Sequence, residues 1–255
     1  MMDQTASVPQ VAFVVNLGPV ESTESHIARI HHLVHLFQGH RLPATWAVAD
    51  AQRMHPLGTQ QTLAKMDELA LTVDDHWSAS QMPKSRFREE LIARLAALQA
   101  AGAAATTLVV GKPQLLRSRT AVLAEQGIRA VLTGSVERST EAKSRPLPCG
   151  LWQLAPNVQV PQLRRLPLWW PFHRTSARQL IAAGTATGAI IVAVQSAQLG
   201  RSSARSLQQI EKLLREVAWA ASRNQLALTT VGQIVAELAI AREVKPQRSI
   251  LRLAA

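Results

Sequence analysis

The chain has 255 residues, of which 47% are hydrophobic and 18% charged. That is enough apolar content for a buried core, and it argues against general disorder. Lys and Arg outnumber Asp and Glu by 28 to 17, a formal net charge of +11, which favours anionic partners. The cations are nevertheless spread along the chain with no arginine-rich block, so the charge reads mainly as solvated surface and nucleic acid is not the favoured partner. A single cysteine, Cys149, excludes an internal disulfide framework and any cysteine-based zinc cluster.

Met1 to Gln10 is polar and reads as a tail without the basic-then-apolar order of a secretory leader. Val11 to Val15 is a β-branched run with the length of a buried strand, ended by Asn16-Leu17-Gly18-Pro19. From Ser25 to Phe37 the residues Ile27, Ile30, Leu33, Val34 and Phe37 recur at helical spacing, and Gly39 stops that helix. Ala44 to Ala49 reads as a second strand, a short helix is expected near Gln60 to Met66, and Leu69 to Val73 as a third strand. A helix over Ser85 to Ala101 places Phe87, Leu91, Ile92, Leu95 and Leu98 on one face. A strand at Thr106–Val110, a helix at Leu115–Gln126 and a strand at Ile128–Leu132 follow. Between Gly134 and Arg174 six prolines break the periodicity, as in a functional loop.

The uncharged stretch Gln179 to Gly200 has the length of a membrane span, but its glycines and Gln195, Ser196 and Gln198 fit a strand at Ala189–Val194 with flanking turns. Ser203 to Ser222 is the clearest helix, and Leu226 to Thr229 is a short strand. Thr230 and Gln233 form a capping box for the last helix. The expected organisation is a polar tail (1–10), one domain (11–241) and a basic tail (242–255), in a protein expected to be cytoplasmic and without a membrane span. Strands alternating with helices predict a parallel sheet covered by helices, with any ligand site at the carboxyl ends of the strands. No phosphate-cradling GxGxxG or GxxxxGK[ST] element follows the first strand.

Leu42-Pro43-Ala44-Thr45-Trp46-Ala47-Val48 resembles the second strand of the polysaccharide deacetylase family, the NodB-homology domain. The resemblance covers roughly Val11 to Leu238 and implies a distorted (β/α)7-8 barrel with a metal-dependent amide-hydrolysing cleft at one mouth. It also implies where the catalytic residues should stand. The family's Asp-Asp-Gly matches Asn16, Leu17 and Gly18, and its pair of metal-binding histidines matches Thr72 and His76. Its Arg-x-Pro-aromatic element matches Gly111-Lys112-Pro113-Gln114, and its last cleft histidine matches Gln195. Only Gly18, His76 and Pro113 are kept. A divalent metal in such a cleft needs about three protein ligands. Leu17 cannot coordinate, Thr72 is a poor neutral substitute, and Asn16 cannot act as general base.

The expectation is therefore a catalytically degraded deacetylase-like domain, a non-enzymatic binding or regulatory protein in carbohydrate metabolism with no bound metal. The alternative is an active carbohydrate N- or O-deacetylase using zinc, cobalt or nickel, with its site rebuilt around Asp74, Asp75 and His76. A second alternative is weak binding of anions or nucleic acid through the basic surface. Candidate ligand contacts are Trp77, Arg164, Arg165, Trp169 and Trp170, which suit a glycan or an acidic small molecule. The aromatic residues could equally anchor a proline-rich loop on the core. Five of the eight histidines lie between His26 and His40, and His31, His32 and His35 are expected on the solvated flank of the first helix. Cys149 reads as a free structural thiol.

Overall fold

The computed structural model describes residues 8–17, 24–49, 66–73, 82–111, 118–133, 144–160, 176–196 and 203–244. The first strand, β1 (Gln10–Asn16), is followed by α1 (Glu24–Gly39), β2 (Ala44–Val48), β3 (Glu68–Val73), α2 (Lys84–Ala100), β4 (Ala105–Val110), α3 (Thr120–Glu125) and β5 (Ala130–Thr133). Three short strands then occupy the region where periodicity faded: β6 (Arg145–Pro146), β7 (Trp152–Leu154) and β8 (Val158–Val160). The chain continues through α4 (Ala177–Thr187), β9 (Ala189–Gln195), α5 (Ser203–Ser222), β10 (Ala227–Thr229) and α6 (Val231–Val244).

All ten strands form one sheet in the order β6-β7-β5-β4-β3-β2-β1-β9-β8, with β10 added beside β1. Every pairing is parallel except β6 with β7. One edge of β1 is shared in succession: β10 pairs with residues 10–12, and β2 with residues 13–16. The result is the expected curled barrel-like α/β sheet.

Alternation along the strands separates two apolar layers. Val11, Phe13 and Val15 of β1 face the helical layer with Ile30, Leu33 and Phe37 of α1 and Leu213, Leu214 and Val217 of α5. Phe13, Phe37 and Trp46 meet edge to face, with ring centroids 5.4 and 5.6 Å apart. Ala12 and Val14 face the other way, into a second cluster with Ala47, Ala70, Val109, Leu132 and Ile191. That inner face is plugged by Val231, Ile234 and Val235 of α6. Small residues on the inner face leave room for the plug.

Several expected elements are corrected. The stretch beginning at Gln179 does not enter its strand through a turn: α4 covers Ala177–Thr187, opened by a capping box at Ser176 and Gln179 and closed by Gly188 at φ +80°. Its pattern was masked by alanines, which pack or face water equally well. The helix expected from Leu115 is only six residues long where it is described, Thr120–Glu125. The last helix runs to Val244, beyond the expected end of the domain. The helix expected near Gln60 lies outside the described residues, apart from Met66.

Candidate functional site

The parallel register fixes which residues meet at the carboxyl ends of the strands. Asn16 is the register partner of Gln195 on β9 and of Ala47 on β2. Asn16 lies two residues beyond the inward Val14, Gln195 four beyond the inward Ile191 and Thr72 two beyond the inward Ala70, so alternation points all three to the inner face. All three are half-buried. Thr72 Oγ1 is shielded from solvent and has no hydrogen-bond partner among the described residues. The described part of the mouth thus presents two carboxamides and one hydroxyl, all neutral. Trp152 packs within the inner cluster.

Leu17 stands differently. It is 1% exposed and belongs to the layer between sheet and helices, not to the inner face. Its backbone is clamped at both ends, with the N–H donating to the Ala47 carbonyl (3.1 Å) and the carbonyl accepting from the buried Ser196 hydroxyl (2.8 Å). Leu17 is therefore an ordinary core leucine at the position where the family resemblance expects a metal-binding carboxylate. The described donors at this mouth do not fit a divalent metal, which requires carboxylate or imidazole ligands. His76, Asp74, Asp75, Trp77, Pro113, Arg164, Arg165, Trp169 and Trp170 lie outside the described residues. His31, His32 and His35 are exposed on α1, on the far side of the outer apolar layer from the mouth. Cys149 is exposed, in a tight turn where it takes a φ of +61°.

A polar cluster that the sequence did not single out lies at the opposite, amino-terminal side of the sheet. The Glu68 carboxylate accepts from the hydroxyls of Thr45 (3.0 Å) and Thr107 (2.6 Å) and from the Gly232 N–H (2.8 Å). Thr45 Oγ1 in turn accepts from the Val231 N–H at 3.2 Å. A carboxylate thus caps the first turn of α6, where backbone donors lack helical partners. A side chain at Gly232 would stand 3.1 Å from that carboxylate. The Pro-Ala-Thr-Trp signature is explained by alternation: Thr45 turns inward to hold α6 and Glu68, while Trp46 turns outward onto Phe37. Glu68 opens a strand after Asp67, and only the inward partners from β2 and β4 distinguish it from a surface acid.

The curled, largely parallel sheet with helices packed on its outer side matches the NodB-type fold of the polysaccharide deacetylases. The structural comparison supports the class. A protein from Mycobacterium smegmatis assigned to the polysaccharide deacetylases matches with a TM-score of 0.64 at 17% identity, over 95% of this chain and 94% of the other. The 4-alpha-glucanotransferase of Thermococcus litoralis matches with a TM-score of 0.62 at 13% identity, over 91% of this chain and 40% of the other. A mutant of a CE4 family pseudoenzyme matches with a TM-score of 0.50 at 8% identity, over 89% and 67%. No protein-family model and no curated protein matches the sequence. At these identities the shared property is the fold.

Proposed function

We propose that this is a non-catalytic deacetylase-type domain whose mouth binds a carbohydrate. The observation that carries the reading is the pair Asn16–Leu17 at the end of β1. The residue aligned with the general base is a carboxamide, and the residue aligned with a metal ligand is packed into the outer core at 1% exposure. An amide cannot take a proton from water at neutral pH, and an alkyl group cannot hold a metal. The CE4 pseudoenzyme supplies a precedent for this scaffold without the activity. The Mycobacterium smegmatis and Thermococcus litoralis structures, with TM-scores of 0.64 and 0.62, carry polysaccharide- and glucan-directed names. Carboxamides and a hydroxyl, able both to donate and to accept, suit the hydroxyls of a sugar better than a charged ligand.

Two measurements test this. Metal analysis after incubation with zinc, cobalt or nickel, beside an assay of acetate release from acetylated oligosaccharides, should give neither stoichiometric metal nor turnover. Titration with chito- or xylo-oligosaccharides should show saturable binding that Asn16→Ala and Gln195→Ala weaken. One bound metal per chain, with turnover lost in His76→Ala, would establish an active deacetylase rebuilt around Asp74, Asp75 and His76 instead. Binding to nucleic acid that falls steeply with salt and depends on Arg164 and Arg165 would favour the basic surface.

A further inference from the structure

The sheet leaves a gap where its two ends approach. Among the described residues β8 pairs with β9 through one edge only, and β7 turns to the short β6 rather than to β8. Into this gap, at the amino-terminal side of the strands, opens a cavity of about 520 Å³. Its walls come from the start of β1, the α4–β9 junction, the β7–β8 connection and the carboxyl half of α6. The volume falls within the range that holds small organic ligands.

The lining has a clear division. Leu154 and Ile191 from the sheet, with Ile234 and Leu238 from α6, make an apolar wall. Glu237 supplies the only charge among the described lining residues, although the chain as a whole is strongly cationic. One carboxylate oxygen accepts from Gln10 Nε2, and no cation among the described residues pairs with it. The Asn157 carboxamide is oriented by the bond its Oδ1 accepts from the Ile191 N–H at 2.8 Å. Apolar walls with a few placed polar groups are the general composition of a small-molecule site.

We infer that this cavity is a second binding site, for a small organic ammonium whose apolar body lies on Ile191 and Ile234 and whose charge meets Glu237. The class follows from the lining. Glu237 is exposed, at the edge of the apolar wall, where its carboxylate disfavours anions and gives an ammonium a charge-assisted hydrogen bond that a neutral ligand lacks. Gln10 holds the carboxylate in place for it. The site does not depend on the carbohydrate reading, since it lies at the other end of the strands.

The test uses the full chain with isoleucine and leucine methyl groups labelled for NMR. It is titrated separately with 2-phenylethylammonium, the neutral 2-phenylethanol and the anionic 3-phenylpropanoate. The ammonium should shift Leu154, Ile191, Ile234 and Leu238, and should bind tighter than the alcohol, with the carboxylate weakest. Glu237→Gln keeps an acceptor for Gln10 and should weaken the ammonium about ten-fold while leaving the alcohol unchanged. Ala241→Trp, at the exposed rim, should abolish binding of all three, with circular dichroism confirming that both variants are folded. Absence of methyl shifts, equal affinity for ammonium and alcohol, or shifts confined to Leu17 near the mouth would each overturn the inference.

Discussion

At the scale of single residues, the inner face holds the most consequential contacts. Thr45 makes two bonds that no other residue duplicates, to Glu68 and to the Val231 N–H. Thr45→Val keeps the shape and removes both, leaving part of a half-buried carboxylate and a buried helix N–H unsatisfied. The expected cost is about 1–3 kcal/mol, read from denaturant unfolding. Leu17 gives the complementary prediction. Leu17→Asp places a carboxylate in the helical layer beside apolar side chains and should destabilise by about 3–5 kcal/mol. Combined with Asn16→Asp, it should still bring no zinc uptake by calorimetry, because position 17 lies outside the inner face. Zinc bound tightly by that double variant would show that the ligand geometry survives.

At the scale of elements, terminal chemistry and close approach set the limits. The Thr230–Gln233 capping box is present, with the Gln233 side chain accepting from the Thr230 N–H at 3.0 Å and from the Thr229 hydroxyl at 2.9 Å. Gln233→Ala should therefore cost about 1 kcal/mol through fraying of α6, measurable as faster amide exchange in its first turn. In α4, helix propensity alone expects Gly184→Ala to stabilise by about 1 kcal/mol. Packing opposes it: a Cβ there would stand 2.6 Å from Pro9 Cβ. The rigid proline ring makes overpacking the larger effect, and the net change should be destabilising by about 1–3 kcal/mol in a thermal melt. The helices themselves were legible from spacing wherever leucine and isoleucine marked a face, as in α5. α4 was missed because alanine and threonine leave no sharp boundary between faces.

For the whole molecule, α6 is the element that completes the fold. It covers the inward residues of the sheet with Val231, Ile234 and Val235 and is fastened by Glu68. A chain ending at Thr230 would expose that apolar face. It should lose its cooperative thermal transition and bind a hydrophobic dye, with secondary structure partly retained. A cooperative transition in the truncated chain would show that the curled sheet is stable without its plug. Among the described residues no helix is long and apolar enough to cross a membrane, and the suspect uncharged stretch is divided between α4 and β9.

The amino-acid sequence by itself determined the α/β rhythm, the parallel sheet, the Pro-Ala-Thr-Trp landmark and the neutral residues Asn16, Leu17, Thr72 and Gln195 at or just after the strand ends. These are properties of local pattern and residue chemistry, which survive without knowledge of neighbours. Tertiary structure alone decided that Leu17 belongs to the outer core, that Thr45 and Glu68 fasten α6, and that a cavity lined in part by the Glu237 carboxylate opens at the base. Each of those depends on residues far apart in the chain, brought together only when the sheet curls and α6 closes its inner face. Glu68 and Gly232 are separated by 164 positions, and no periodicity reaches across that distance.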